Sequence, residues 1–385
     1  MRLPFLILLA FCLAAPAAAE DWDGVVKFLK PVAPDEPVHV LCKAEQACGL
    51  INSAGELVLD QVYRRLTVGP PMPASARQVI AEAVAGRTGL FDLTGKWLLR
   101  PKYENASFLY NDRIAVKKGG AWGYVSGSDR MIVQPRYEIA TDFTAPVTSV
   151  YLNGKWGLID TNGLVVAEPK YSVIREFTDG VAIFAADQGY GLIDAAGKEI
   201  LSGYTTIEPF SEGFAMALKE LNQVGFIDKT GKWMFRTRFQ SAGNFHEGLA
   251  SVTNGDRTGF VAKDGRVTIP LKFDDAHDFS GGVAPVAVNG KWGVIDRKGR
   301  WAIKPRFDYL WSFTKGVAVA NRGGSFDEFG VPEKDAGTWG AISVSGDWIV
   351  KPQFDSVEVT DGLIVAWKDK KRRYFDFDGK LVTSE

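Results

Sequence analysis

Apolar runs of four to seven residues, punctuated by Gly, Pro and Asp, recur along almost the whole chain. In the segment 156–189, the runs WGLID, LVVAEP and VAIFAA are separated by a turn on Asp160 and Gly163 and by an extended piece from Tyr171 to Phe177. Short runs rich in Val, Ile, Phe and Tyr with this punctuation predict β-strands. Nowhere does a 3.6-residue apolar period persist for the roughly 10–15 residues that a helix would need. The pattern predicts an all-β chain.

The runs obey a ruler. Marking the glycine of each segment that resembles W-G-L-I-D-x-x-G-K gives Gly89, Gly123, Gly157, Gly191, Gly225, Gly259 and Gly293, every step being 34 residues. Gly49 precedes this series by 40 residues and Gly340 follows it by 47, and a degenerate copy, RYFDFDGKLV, carries Arg373 in the glycine position. Three residues beyond the mark stands Asp or Asn (Asn52, Asp92, Asp160, Asp194, Asp228, Asp296), and three further on another glycine, such as Gly163 or Gly299. D-x-x-G is the composition of a tight hairpin turn: the carboxylate accepts a backbone amide two residues on, and glycine takes the left-handed position. Proline follows at Pro101, Pro135, Pro169, Pro305 and Pro352. There it is expected to end the second strand, since its missing N–H does no harm at a strand end. The two residues after the marked glycine are both apolar, as in Leu158-Ile159 and Val294-Ile295. Consecutive strand residues point to opposite faces, so this strand is expected to be covered on both sides.

The simplest assembly is a small antiparallel sheet per repeat, with sheets stacked face to face and tryptophans such as Trp156 and Trp292 between them. A 34-residue unit is smaller than the ~40 residues at which lone domains become hard to stabilise, so neighbours must share their stability. Ten hairpins exceed the usual four to eight blades of a propeller, which favours an open spiral over the alternative, a closed propeller-like ring. For the ring speaks the strand-like VHVLCK near the start, which could complete the last sheet.

Composition adds a compartment and removes some partners. The chain has 385 residues, 45 Lys plus Arg against 46 Asp plus Glu, and 46% hydrophobic residues. Without basic excess, nucleic acid is not an expected partner. Residues 1–19, MRLPFLILLAFCLAAPAAA, read as a signal peptide: Arg2, an apolar run shorter than a membrane span, then an A-x-A site. The mature chain then begins at Glu20 in a periplasmic or extracellular location and has no transmembrane segment. Cleavage removes Cys12 and leaves Cys42 and Cys48, which are expected to pair in an oxidising compartment and staple a terminal hairpin. The resulting organisation is a signal peptide (1–19), an N-terminal capping region with the first hairpin (20–60), a repeat array (61–372) with an insertion near 322–336, and a terminal half-repeat (373–385).

The recurring K-W-G-x-I-D-x-x-G-K, plain at Lys155-Trp156-Gly157 and Lys291-Trp292-Gly293, resembles the WG-repeat (KWG-repeat) family. That resemblance covers about residues 40–385 and implies tandem β-rich repeats of a kind common in bacterial proteins, often secreted and with few assigned activities. Cys48, Thr88, Tyr190, Val224 and Thr258 replace the tryptophan, so the resemblance assigns it no binding role.

No catalytic motif stands out. His39, His246 and His277 fall at unrelated repeat positions without zinc-ligand spacing, and no cofactor or metal is expected. Two departures from the ruler are better candidates for function. One is the insertion 322–336, with Phe326 and Phe329; the other is the proline-rich Val68–Ala76. Insertions in repeat proteins often project from one face. The basic run Lys368–Arg373, behind Trp367 and including Lys370 and Arg372, could touch an anionic surface. The sequence therefore reads as a monomeric, secreted, non-catalytic scaffold that binds a protein or an envelope polysaccharide through its repeat surface and inserted loops. The alternative is a secreted hydrolase acting on glycans or peptidoglycan, whose carboxylates meet only in space.

Overall fold

The computed structural model describes residues 26–42, 47–71, 76–83, 86–220, 224–237, 239–326, 331, 336–360 and 362–384. The expected signal peptide and Phe329 lie outside the described residues. All regular structure among the described residues is strand, arranged in ten antiparallel sheets that follow one another along the chain. Nine have four strands in sequence order; the first, residues 38–63, has three. Sheet 4 shows the plan: Ile139–Ala140, Val147–Leu152, Lys155–Asp160 and Val165–Tyr171. The W-G-L-I-D strand is thus third in its sheet, and the repeat read from the sequence straddles two sheets. The closing half of sheet 10 is accordingly Lys371–Phe375 and Leu381–Ser384, which takes in the described part of the terminal half-repeat.

The third strand carries the core. Leu158, Ile159, Leu192, Ile193, Val294 and Ile295 are all fully buried, so the strand is covered on both faces. The marked glycine before them is required by the geometry of its own sheet. In sheet 4 the pairing jumps from Trp156↔Tyr171 to Leu158↔Ala167, so that Glu168, Pro169 and Lys170 bulge out opposite Gly157. A Cβ on Gly157 would lie 2.7 Å from the Ala167 carbonyl oxygen and 2.8 Å from the Pro169 nitrogen. The same closeness joins Gly123 to Pro135, Gly293 to Pro305 and Gly340 to Pro352. The prolines therefore do not end the strand. They occupy a bulge, where a backbone N–H is not required for the ladder, and the strand runs on to a buried aromatic, Tyr137, Tyr171, Phe307 or Phe354.

Sheets join through the D-x-x-G turns. Asp160 Oδ1 accepts the amides of Asn162 and Leu164, both at 2.8 Å, and Asp194, Asp228 and Asp296 repeat the arrangement. The turn glycines Gly163, Gly231 and Gly299 have φ of 83°, 79° and 74°, where a side chain is disfavoured. Each also sits against the fourth strand of the sheet before it: the Cβ that Gly163 lacks would be 2.5 Å from Val133, and that of Gly231 2.3 Å from Leu201.

The same contact closes the molecule. Gly55 of sheet 1, at φ 78°, stands in this relation to Val382 of sheet 10, 2.3 Å from the missing Cβ to Cγ1. Leu41 and Val382 pack on Leu363, Val365 and Tyr374. The chain is a ring, not the open spiral expected from the repeat count. The tenth sheet packs on the first, and closure covers two apolar sheet faces that a spiral would leave bare. Nor does the N-terminal strand complete the last sheet. Val38–Cys42 pairs with Cys48–Asn52 inside sheet 1, while sheet 10 draws all four strands from its own segment. The expected Cys42–Cys48 disulfide is formed across that first hairpin, joining residues opposite each other in register. By loop entropy so short a ring contributes roughly 2–2.5 kcal/mol.

Because both atoms facing Gly157 belong to backbone, Gly157→Ala is expected to force the bulge open and cost about 1–3 kcal/mol. Urea unfolding would read this as a lower midpoint; an unchanged midpoint would mean that the bulge is loose.

Candidate functional site

An antiparallel meander sends alternate connections to opposite ends. On one end of the ring lie the D-x-x-G turns and the loops between first and second strands. On the other lie the turns between second and third strands and the junctions to the next sheet. Most junctions are a single residue, such as Ser172 between Val165–Tyr171 and Val173–Ile174. The insertion near 322–336 interrupts the second–third turn of sheet 9, between Val317–Arg322 and Thr338–Ser343. The basic run is the corresponding turn of sheet 10, between Ile364–Lys368 and Lys371–Phe375. These two share a face in adjacent sheets. The proline-rich stretch follows Arg65–Val68 and precedes Gln78–Glu82, and so lies on the opposite face. There Pro70 borders a cavity of about 410 Å³ with Phe108, Asp142 and Arg175.

The sequence-predicted residues are unequal. Lys370 is an exposed turn residue with φ 62°, and Trp367 is half-buried opposite Arg372 in the hairpin ladder. Phe326 is different: it folds back from the insertion onto Tyr309, at 5.0 Å between ring centroids, and onto Trp339 at 5.6 Å. A buried side chain sets this fold-back. Asn321 is fully buried; its Oδ1 accepts the Gly324 amide at 3.0 Å and its Nδ2 donates to the Ala336 carbonyl at 2.8 Å. One amide therefore clamps both stems of the insertion. Asp308, the junction residue, adds a bond from the Gly323 amide at 2.9 Å.

Behind Phe326 an aromatic cluster spans sheets 8 and 9. Tyr309 is its hub, 5.1 Å from Trp292 and 5.0 Å from Trp311. The His277 ring lies nearly parallel to both tryptophans, 4.6 Å from Trp292 at 13° and 5.7 Å from Trp311 at 17°. Trp311 is 43% exposed, so the cluster reaches solvent. A cavity of about 860 Å³ opens beside it, lined by Thr253 and Thr258 of sheet 7, Asp274, Asp275 and Trp292 from sheet 8 and its entry, and Asp308, Tyr309 and Phe326 of sheet 9 and its entry.

The charges around it are mostly balanced. Arg257 binds Asp274 at 2.5 Å, and Lys291, the lysine of a K-W-G segment, binds Asp308. Here that pairing ties the third strand to the entry of the next sheet, whereas Lys155, in the other plain K-W-G segment, faces Asp187 at 3.9 Å. Asp275 accepts the neighbouring Ala276 amide at 2.7 Å, and burial pushes its carboxyl above the ordinary range. Burial also depresses His277 to about 4, and its Nε2 is buried without a hydrogen-bond partner. The carboxylates Asp274 and Asp308 are engaged by cations of the chain, an arrangement suited to holding polar groups in place.

Sequence reasoning found Phe326 and missed Trp292, Tyr309, Asp275 and His277 as a group. A signal was present: Phe307-Asp308-Tyr309-Leu310-Trp311 places an aromatic at every second position.

A ring of small antiparallel meanders is a β-propeller, here with ten blades. The family described as WG containing repeat matches residues 89–120, 122–156, 156–187, 190–220, 225–257, 259–292, 292–325 and 339–371, and the chain belongs to it. Compared with curated proteins, the sequence matches none. Among solved structures, a eukaryotic initiation factor resembles it at TM-score 0.51 and 10% identity, over 80% of this chain and 95% of its own. The computationally designed Ika8 protein gives 0.34 at 13% identity, over 80% and 93% of the two chains. BamB from Moraxella catarrhalis gives 0.37 at 13% identity, over 66% and 90%. At such identities the likeness to the initiation factor is one of fold.

The depressed His277 has a consequence for stability. An unfolded chain protonates it near 6.5 and the folded chain only near 4, so stability is unaffected above that window. As pH falls through it, the unfolded state gains protons first, and stability declines by up to about 1.4 kcal/mol per pH unit. Asp275 and Asp278, raised by burial, act in the opposite sense, because there the folded state takes up protons first as pH falls. Urea midpoints at about pH 7.5 and 5.5 are expected to differ in the natural protein, and His277→Phe is expected to shrink the difference.

Proposed function

We propose that this protein is an exported, non-catalytic propeller scaffold that holds a protein or an envelope polymer on the face carrying the inserted turn of blade 9. The observation that carries the reading is the clamped insertion. Fully buried Asn321 bonds both stems, which fixes Phe326 over a cavity already walled by Trp292 and Tyr309. A half-buried aromatic held on a buried aromatic cluster, beside satisfied polar groups, is the composition of a recognition surface. Export is supported by the Cys42–Cys48 disulfide, a bond suited to an oxidising compartment, together with the leader-like residues 1–19. In this reading residues 20–60 carry the first hairpin, residues 61–372 the repeat array and residues 373–385 its terminal half-repeat, and the protein acts as a monomer without nucleic acid.

Cosedimentation with an insoluble envelope fraction tests the proposal. Deleting residues 324–336 is expected to release most of the bound protein, whereas deleting residues 70–75 on the opposite face leaves retention unchanged. Equal retention of both variants would remove the inserted face from the account.

A further inference from the structure

The cavity between blades 7 and 9 carries enough chemistry to narrow the ligand, and this step rests on the scaffold reading above. Its apolar wall is half-buried Phe326, tilted by 47° on the buried ring of Tyr309 at 5.0 Å, with buried Trp292 behind at 49° and 5.1 Å. Opposite chemistry lines the rest, with the Thr253 and Thr258 hydroxyls and the carboxylates of Asp274, Asp275 and Asp308. The polar groups are held in advance. Thr253 and Thr258 share a hydrogen bond at 3.0 Å, Arg257 fixes Asp274, and Lys291 fixes Asp308.

Three carboxylates against two cations leave one negative charge, so polyanions are repelled rather than drawn in. The volume, about 860 Å³, sits in the upper range of small-ligand sites and far exceeds what a compact ammonium group would fill. An elongated ligand with apolar ring faces and many hydroxyls matches all of these features. One of its C–H faces packs on Phe326, and its hydroxyls donate to Asp275 and exchange hydrogen bonds with the threonines.

We infer that this cavity is a subsite for an uncharged oligosaccharide, with half-buried Phe326, backed by the buried ring of Tyr309, as the stacking platform and Asp275 as the orienting acceptor. No bond is made or broken in this role.

Calorimetric titration of the full disulfide-bonded chain with maltohexaose, cellohexaose and chitohexaose tests it, with hexagalacturonate and choline as charged controls. At least one neutral hexasaccharide is expected to bind with a Kd below about 1 mM. Phe326→Ala and Asp275→Asn should each weaken it about tenfold or more, with unchanged circular dichroism, and hexagalacturonate should give no binding. Asp275→Asn is nearly isosteric and remains informative should Phe326→Ala disturb the insertion. The inference is overturned by the failure of all three neutral sugars, by binding indifferent to both substitutions, or by choline or hexagalacturonate binding more tightly at the same residues. Were the sugars to fail while envelope retention still depended on residues 324–336, the ligand class would fall and the scaffold would stand.

Discussion

The structure depends on one contact repeated in eight of the ten blades, a left-handed turn glycine seated on the fourth strand of the blade before it. In blade 3 Asp129 takes the left-handed position instead. At Gly163 on Val133 and Gly231 on Leu201 the missing side chain is the room into which the neighbour fits. A 34-residue slice buries too little on its own to be stable, so this contact and the apolar faces it brings together carry the fold. Its recurrence at Gly55 and Val382 makes the ring: the seam is one more copy of the internal joint, without strand exchange. With every apolar face covered by a neighbour, the array has no bare end of the kind that linear repeats must cap.

Much of this was legible. The period, the all-β character, the D-x-x-G turns and the doubly covered third strand follow from spacing and from apolar pairs such as Leu158-Ile159. The phase of the sheets was not, because hydrophobic alternation locates strands without saying which pair. The role of Pro169 was also misread, although every such glycine and proline stand 12 residues apart. That constant interval is the mark of two residues facing each other across a bulge. Closure was misjudged for a related reason: the angle between successive blades is set by side-chain packing, and no residue count encodes it.

The site was less legible than the scaffold. Phe326 was found because it breaks the ruler. Trp292, Tyr309 and Asp275 sit at ordinary repeat positions, and their difference arises only when three blades meet. In place of Tyr309, for example, the corresponding first strands begin with Asn105, Ile139, Val173 and Thr206. The ring thus uses identical joints to hold dissimilar rims. Recognition can change in a few blades while the joints that maintain closure are untouched.

The central claim is that the seam between blades 10 and 1 is an ordinary joint. Pulsed electron resonance between spin labels at Ala54→Cys and Lys380→Cys measures it, with Thr230→Cys and Lys198→Cys as the equivalent pair across blades 6 and 5. The account predicts narrow distance distributions with the same mean for both pairs. A long or broad distribution at the seam, beside a short and narrow one inside the array, would contradict it.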